Sequence, residues 1–469
     1  MTRASRLFGG AGVAVLAWAI AGGAFAQDAT EARIRALEAQ LTALQEQIID
    51  LKASTAASEQ AIREEQRATT VSIAAGKPTI ASGDGAFSAT LHGVMQLDTA
   101  QYFQDDDLGA GVIGRDFNSG TNFRRGRLGV DGKIFRDFDY SLLLDFGGSG
   151  TDGQTTLHEL WIQYSAFKPF KFRVGAFAPN LGLEDAASTN GSLFPERPSA
   201  AEVARSLAGS DKRIAAQALA SGDHWLVAAA ITGAKAADGA TFDEQLGYTF
   251  RAAGTPLFGE DWRLHIGANA SVLAQPAQTT LGGTYPINIQ DRPELRVDGT
   301  QLVSTGAIDA GGAHHWGLEA AYQKKNFLVQ GEYFDLSVDR RTDIGLADPS
   351  FNGWYIEAGY VLTGEARKYN TGAAAFDAPA VDKPFDRAAG QWGAWELVGR
   401  YSVLDLNDED AGIRGGEQTI WSGGVNWFVN PAIKFGLHYL DVSVDRQTAL
   451  GVQQGQDFQA VNLRSQFAF

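Results

Sequence analysis

The chain has 469 residues, no cysteine, and 39 Lys and Arg against 55 Asp and Glu, for a formal net charge of −16 at pH 7. This acidic balance argues against a nucleic-acid-binding protein, because phosphate contacts need a basic surface. The absence of cysteine excludes a disulfide framework, a thiolate metal site and a cysteine nucleophile.

The N-terminus has the pattern of a secretory signal peptide. Arg3 and Arg6 form a basic region, residues 7–20 an apolar core, and residues 24–26 a small-x-small cleavage site. We therefore predict a signal peptide over residues 1–26; the alternative, an uncleaved membrane anchor, would need a longer apolar segment. After this segment no apolar run is long enough to cross a bilayer as a helix.

Residues 30–67 change abruptly in composition to Ala, Glu, Gln, Leu and Arg. Apolar residues recur there at alternating spacings of three and four, the a/d seam of a coiled coil, at Ile34, Leu37, Leu41, Leu44, Ile48 and Leu51. So narrow a stripe gives the helix no core of its own, so we predict that it pairs with copies of itself. Ile and Leu in these places favour a dimer, but the seam is too short to fix the number. A single amphipathic helix lying on a surface is the alternative, and the Gly-containing residues 68–85 are predicted to be a linker.

Residues 86–469 alternate apolar and polar side chains with a period of two. In residues 123–135, for example, Leu128 points one way and Arg125 the other. In a soluble sandwich the apolar face would meet a second sheet, whereas in an outer-membrane barrel it meets lipid and the charges line a water-filled lumen. About sixteen such segments follow one another, an even number as in bacterial single-chain barrels. We predict an all-β fold: a transmembrane antiparallel β-barrel over residues 86–469, preceded by the short coiled-coil helix.

The connections and the C-terminus agree with a barrel. Short turns alternate with long loops, except that Gly364–Gly390 is long yet falls on the periplasmic side; either it folds into the lumen or a strand is misplaced there. The last strand ends on Phe469, which is similar to the terminal signature recognised by the outer-membrane assembly machinery. Aromatic residues near strand ends predict girdles at the membrane interfaces, namely Trp161, Trp316, Trp354, Trp395, Trp427, Tyr360, Tyr401 and Tyr439.

The parity opposite the apolar one is predicted to face the lumen, because a charge facing lipid costs roughly 2–4 kcal/mol. The basic residues placed there as pore-lining are Arg125, Arg127, Lys133, Lys171, Arg173, Arg213, Arg251, Arg263, Arg400, Lys434 and Arg464. The acidic residues placed there are Asp131, Asp145, Glu159, Glu319, Glu332, Glu357 and Glu396. The basic surplus favours anions. The alternative is that Arg and Glu on neighbouring strands pair only to hold the wall in shape.

The connection over residues 178–210 is unusually long for the loop of a barrel. Folding inward to narrow the lumen would give such a loop a function. The charged residues that would then stand at the constriction are Glu184, Glu196, Arg197 and Arg205.

Several stretches occur in a fixed order along the predicted barrel: Phe123–Lys133, Arg173–Phe177, Leu181–Glu184, Phe194–Arg197, Gly331–Phe334, Thr363–Tyr369 and Gly393–Ser402. In this order they resemble the phosphate-selective porin O/P family of outer-membrane channels. The resemblance implies a sixteen-stranded trimeric porin with in-folded loops, a trimeric coil, and an arginine stretch that carries over as pore-lining residues at Arg124, Arg125 and Arg127. It departs at Ala178, where phosphate-selective members tend to carry Lys, so phosphate selectivity is less secure than the porin fold.

No catalytic pattern is present: the chain has no HExxH, no GxSxG elbow and no Gly-rich phosphate loop, and His314-His315 is its only tight histidine pair. We predict no enzyme activity, cofactor or metal site. The predicted function is a passive porin in a Gram-negative outer membrane, with the coil in the periplasm, which favours small inorganic anions, including phosphate, among hydrophilic solutes. A homotrimer and outer-membrane lipid are its predicted partners. The alternatives are a general or weakly cation-selective porin and a barrel-anchored tether whose coil contacts the cell wall.

Overall fold

The computed structural model describes residues 25–74, 76–104, 114–148, 155–236, 242–279 and 283–469. Two compact units, Met1–Ala68 and Thr69–Phe469, make up the chain. The predicted signal peptide lies outside the described residues except for its last two. Among the described helices, none is both long and apolar enough to cross a membrane.

The first unit contains the helix α1 (Phe25–Arg67). The six heptad residues from Ile34 to Leu51 are each 50–67% exposed in the single chain. The helix therefore forms without a partner for its apolar stripe, and its pairing with other copies stays a prediction.

The second unit consists of strands, two short helices and their connections. The first strands are β1 (Thr69–Ala74), β2 (Lys77–Ser82), β3 (Ser88–Gln104), β4 (Gly120–Ile134), β5 (Phe138–Asp145), β6 (Thr156–Tyr164) and β7 (Phe170–Phe177). After α2 (Leu183–Ala186) and α3 (Ser199–Ala208) come β8 (Arg213–Ser221), β9 (Trp225–Lys235), β10 (Leu246–Phe258), β11 (Trp262–Gln275), β12 (Pro286–Ile287), β13 (Gln290–Asp291) and β14 (Val303–Ser304). The last are β15 (Ile308–Lys324), β16 (Phe327–Arg340), β17 (Ser350–Val361), β18 (Arg367–Asn370), β19 (Ala375–Pro379), β20 (Ala394–Asp408), β21 (Ile413–Phe428), β22 (Ile433–Asp445) and β23 (Phe458–Ala468).

Sixteen of these strands form a closed antiparallel barrel, and the predicted fold class is confirmed. The barrel strands are β3–β11, β15–β17 and β20–β23; each pairs with the next, and β23 pairs with β3 to close the ring. Alternation directs the side chains: on β15, for example, Leu318 is 54% exposed on the outer face while the neighbouring Glu319 is 3% exposed inside. Closure gives each barrel strand a neighbour on both sides, apart from the first residues of β3.

The predicted linker, residues 68–85, contains a hairpin instead. Strands β1 and β2 pair with each other, and β2 also pairs antiparallel with the start of β3 through Thr79↔Thr90 and Ala81↔Ser88. The reason is that β23 ends opposite Val94, so the first residues of β3 have no barrel neighbour on that side. The hairpin supplies backbone partners to this short edge.

The alternation rule predicts a polar inner face along the whole height of the barrel. The observed inner face is apolar at one end. At the end with the long connections, Leu336, Val338 and Leu404 are buried inside the barrel at 0–1% exposure and pack against α3 in one apolar cluster. Their outward neighbours include Asp339, which would be unstable in hydrocarbon. These strand ends therefore rise beyond the membrane, where the outer face meets water and the apolar side chains turn inward.

Candidate functional site

Three connections fold into the barrel. The inner loop (residues 178–212) joins β7 to β8 and contains α2 and α3; the second loop (residues 283–307) contains β12, β13 and β14. The periplasmic hairpin (residues 364–393) contains β18 and β19. Its residues Ala374, Ala375 and Phe376 are buried at 1–3% exposure, so the long periplasmic connection does fold into the lumen.

The helix α3 packs against glycines of the barrel wall. An ideal Cβ placed on Gly353 would lie 2.8 Å from the Cβ of Ala200, and one placed on Gly247 would lie 2.8 Å from the Cβ of Ala208. Because neither glycine has a side chain, the small face of the helix reaches the wall directly. The Ala-rich sequence of α3 thus both favours a helix and permits its close approach.

Glu196 of the inner loop gathers several guanidinium groups around one buried carboxylate. Its Oε1 lies 2.7 Å from Arg124 Nε and 2.8 Å from Arg464 Nη2. Its Oε2 lies 3.7 Å from Arg125 Nη2 and 3.8 Å from Arg296 Nε. Burial alone would raise the pKa of Glu196, but Arg124, Arg125 and Arg464 outweigh it and hold the pKa well below its usual range. The loop is therefore fastened to the wall by a fully charged centre.

Arg400 and Glu332 fasten the loops at two further points. Arg400 pairs with Glu357 at 2.7 Å and with Glu294 of the second loop at 3.0 Å, and it donates to the carbonyl of Glu196 at 2.9 Å. Glu332 accepts hydrogen bonds from the backbone N–H groups of Leu183 and Glu184 at 2.8 and 3.0 Å. Wall charges on this side are thus used to hold the in-folded segments.

Two arginines connect the periplasmic hairpin to both the wall and the inner loop. Arg367 forms a two-point ion pair with Glu396, each contact at 2.7 Å, and donates to the carbonyl of Gly191 at 2.6 Å. Arg251 binds Glu319 at 2.9 and 3.1 Å and donates to the carbonyls of Ala373 and Ala374 at 2.7 and 2.8 Å. Segments that enter from opposite ends of the barrel are thereby locked together.

A cavity of about 440 Å³ lies between the inner loop and strands β3–β8. The side chains that line it from the wall include His92, Arg125, Arg127, Asp131, Leu143, His158, Glu159, Trp161 and Arg173. The inner loop contributes Ala178, Pro179, Asp185, Arg197 and Asp211 among others, and the periplasmic hairpin contributes Gly372 and Ala373. We call this space the lumen cavity.

Most of the charged groups around the lumen cavity are already paired. Arg127 Nε lies 2.9 Å from Asp145 Oδ2, and Asp131 lies 3.1 Å from His92. Asp185 and Asp211 both bind Arg205, which stands outside the cavity lining. The carboxylates paired with arginines are largely cancelled at long range, whereas His92 cancels Asp131 only when it is protonated.

Arg173 and Arg197 differ from the other arginines of the lumen cavity, because neither has a carboxylate within 4.0 Å among the described residues. Arg173 donates through Nε and Nη2 to Gln163 Oε1 at 3.1 and 2.9 Å. Within the described part of the chain, Arg197 donates only to carbonyls of the inner loop, at 3.4 and 3.5 Å. On the acidic side Glu159 has no described cation within that distance and accepts a hydrogen bond from Trp161 Nε1 at 2.9 Å.

The other residues predicted as pore-lining do not reach the lumen cavity. Four of them form ion pairs elsewhere, namely Arg124 with Glu196, Arg251 with Glu319, Arg400 with Glu357 and Arg464 with Asp98. Lys133 pairs with Asp139 at 2.6 Å, Arg213 donates to the carbonyl of Gly209, and Arg263 lies 5.3 Å from the ring centroid of Tyr369. Lys434 donates to the carbonyl of Ser192 and lines a second cavity of about 350 Å³.

The four residues predicted at a constriction all lie in the inner loop, but they have different surroundings. Arg197 lines the lumen cavity, whereas Glu184 is buried at 2% exposure beside Gln330. Glu196 and Arg205 are buried in the ion pairs described above. Only Arg197 of the four is placed among the cavity lining.

The predicted girdle position is wrong for Trp161. Its ring faces the lumen cavity, and the guanidinium carbon of Arg173 lies 4.0 Å from its centroid. Glu159, Trp161 and Gln163 share the inward parity of β6, and this parity was the signal that could have identified the position. The carboxylates Asp98 and Glu294, which neutralise inward arginines, were also missed in the sequence.

Comparisons with known proteins agree with this geometry. The sequence profile of the family described as "Phosphate-selective porin O and P" matches residues 95–469. Porin O of Pseudomonas aeruginosa is 27% identical over 399 residues, which cover 79% of this chain and 86% of that protein. An uncharacterized protein of Caulobacter vibrioides is 27% identical over 397 residues, or 83% of this chain and 74% of that protein.

Solved structures show the same fold. The anion-selective porin from Comamonas acidovorans matches with a TM-score of 0.52 at 14% identity and covers 82% of this chain and 100% of its own. OmpT, an outer membrane protein of Vibrio cholerae, matches with a TM-score of 0.51 at 11% identity and covers 82% of this chain and 98% of its own. At these identities the likeness establishes the fold alone.

Proposed function

Because the chain belongs to the phosphate-selective porin O and P family, and is therefore an outer-membrane porin, we propose that its lumen passes small anions in preference to cations. The observation that carries this proposal is the presence of Arg173 and Arg197 in the lumen cavity without a described carboxylate partner. One stands on the wall and the other on the inner loop, so a solute between them meets positive charge on both sides. Charges outside close ion pairs contribute most to the potential in a pore, whereas closely paired ones contribute little.

Glu159 moderates the preference, because it is a carboxylate in the same lining without a described cationic partner. The channel therefore favours anions modestly and does not exclude cations. Phosphate selectivity is not part of the proposal, since Ala178 lines the cavity where a lysine would add a third positive charge.

Replacing both arginines in the double variant Arg173→Gln/Arg197→Gln is expected to lower the anion-to-cation permeability ratio by about fivefold. In a water-filled lumen the two charges together change the free-energy difference between an anion and a cation by on the order of 1 kcal/mol, which corresponds to about fivefold. The measurement is the reversal potential of the purified protein in a planar bilayer under a potassium chloride gradient. A matched control, Arg136→Gln/Arg341→Gln, removes the same charge from exposed side chains and should leave the potential unchanged. A wild-type potential of cation sign, or a cavity variant indistinguishable from wild type, would contradict the proposal.

We further propose that α1 joins three copies of the chain. The support is the uncovered apolar stripe from Ile34 to Leu51, together with the trimer that the family resemblance implies. The detergent-solubilised protein should sediment as three copies, and Leu41→Asp should lower the temperature at which they separate. Ala39→Asp, on the opposite side of the helix, is the control. A monomeric wild-type protein would refute this assembly.

A further inference from the structure

The lumen cavity combines arginines that have no close ion-pair partner with apolar surface. Beside Arg173 and Arg197, its lining includes Val94, Leu143, Leu219, Pro179 and Trp161. Its volume of about 440 Å³ falls within the range of about 300–1,000 Å³ typical of sites for small organic ligands. A site built for a bare inorganic ion would instead place polar donors around a smaller space.

Trp161 and Arg173 form a preorganised pair. Gln163 Oε1 accepts from both Nε and Nη2 of Arg173 and so holds the guanidinium, whose central carbon lies 4.0 Å from the indole centroid. No acceptor among the described residues lies within hydrogen-bond distance of Nη1. The outer edge of the guanidinium can therefore bind a carboxylate in its own plane, and the adjoining indole offers an aromatic surface to whatever carries that carboxylate.

Glu159 adds a fixed negative charge to this part of the cavity. Its carboxylate is held against the indole by a 2.9 Å hydrogen bond from Trp161 Nε1, so it stays beside the same pair. Repulsion by a fixed negative charge grows in proportion to the charge of the solute. That repulsion is about twice as strong for doubly charged phosphate, but so is the attraction to Arg173 and Arg197, so discrimination against phosphate comes from Trp161 and the apolar lining.

We propose that the lumen cavity selectively accommodates planar organic carboxylates, of which an aromatic monocarboxylate is the simplest example, ahead of inorganic anions. This inference rests on the proposed anion channel and names the solute class of the same cavity. Arg173 binds the carboxylate, Trp161 contacts the flat organic part, and Arg197 contributes attraction from the inner loop. Neither arginine alone would distinguish a planar acid from chloride or phosphate.

The test measures chloride current through the full-length protein in a planar bilayer while one competing anion is added. Benzoate, cyclohexanecarboxylate and inorganic phosphate are compared, since the first two share charge and size but only benzoate is planar. We expect the half-blocking concentration of benzoate to be about fivefold below that of cyclohexanecarboxylate. The half-blocking concentration of phosphate should be the highest of the three. Equal block by benzoate and cyclohexanecarboxylate, or stronger block by phosphate, overturns the inference.

Variants locate the effect and separate it from the parent proposal. Trp161→Leu should remove the advantage of benzoate over cyclohexanecarboxylate while the reversal potential keeps its anion sign. The control Trp316→Leu changes a tryptophan that is 44% exposed on the outer face and should keep that advantage. If the sign stays anionic but benzoate has no advantage in the wild type, only this inference fails. If the sign is cationic, the proposed function fails as well.

Discussion

Glu196→Gln is expected to release the inner loop from the barrel wall, with a loss of roughly 3–5 kcal/mol in the free energy that holds the loop closed. The substitution removes the carboxylate that four arginines share. Arg464 keeps Asp98 and Arg296 keeps Asp291, but Arg124 and Arg125 retain no carboxylate within 4.0 Å among the described residues. Uncompensated buried charges of one sign repel one another and recover hydration only if the loop moves away. Single-channel conductance should rise and become noisy, and trypsin should cleave within the inner loop of the folded barrel.

The control for this variant is Glu409→Gln. Glu409 pairs with Arg414 at 2.7 Å, but its side chain is 69% exposed, so water replaces the lost partner and the effect should be near zero. Unchanged conductance and protease resistance in Glu196→Gln would show that the inner loop does not depend on this charged centre.

The same centre determines how the wild-type loop responds to acid. Because the folded-state pKa of Glu196 is depressed, its stabilising contribution is present above the ordinary titration range of a carboxylate. It is lost only as pH falls through the lower, folded-state pKa. Mild acid should therefore leave the loop closed, unlike the Glu196→Gln substitution.

Ala178→Lys is expected to make the channel sensitive to phosphate. Ala178 lines the lumen cavity with Arg173 and Arg197, so a lysine there would add a third cation to a partly enclosed space. A gain of about 1.4 kcal/mol for a multiply charged anion would lower the phosphate concentration that halves the chloride current about tenfold. The measurement is that half-blocking concentration in a planar bilayer.

Ala347→Lys serves as the control, because it adds the same charge at an exposed loop position. It should leave block by phosphate unchanged. If Ala178→Lys favoured chloride and phosphate to the same extent, the added charge would act only by making the electrostatic potential of the lumen more positive. If it altered neither, Ala178 would lie outside the permeation path.

The barrel was predictable because its signal is local. In a strand, neighbouring side chains point to opposite faces, so alternation in residues 123–135 indicates a strand irrespective of what lies around it. The observed β4 (Gly120–Ile134) follows from that pattern, and the other predicted strands are recovered in the same way. The rule fails where the surroundings change. At Leu336 and Val338 the apolar parity faces inward, because water has replaced lipid outside.

The sequence by itself determined the strand order, the inward parity of the arginines and the presence of a long connection after β7. Only the tertiary structure decided which inward charges remain uncompensated. Arg400 and Arg173 share the same inward parity, yet Arg400 meets Glu294, which is 106 residues away along the chain, while Arg173 meets an indole and an amide. The electrostatic effect of a charge depends on the partners that folding brings within a few ångströms, and local alternation carries no information about them.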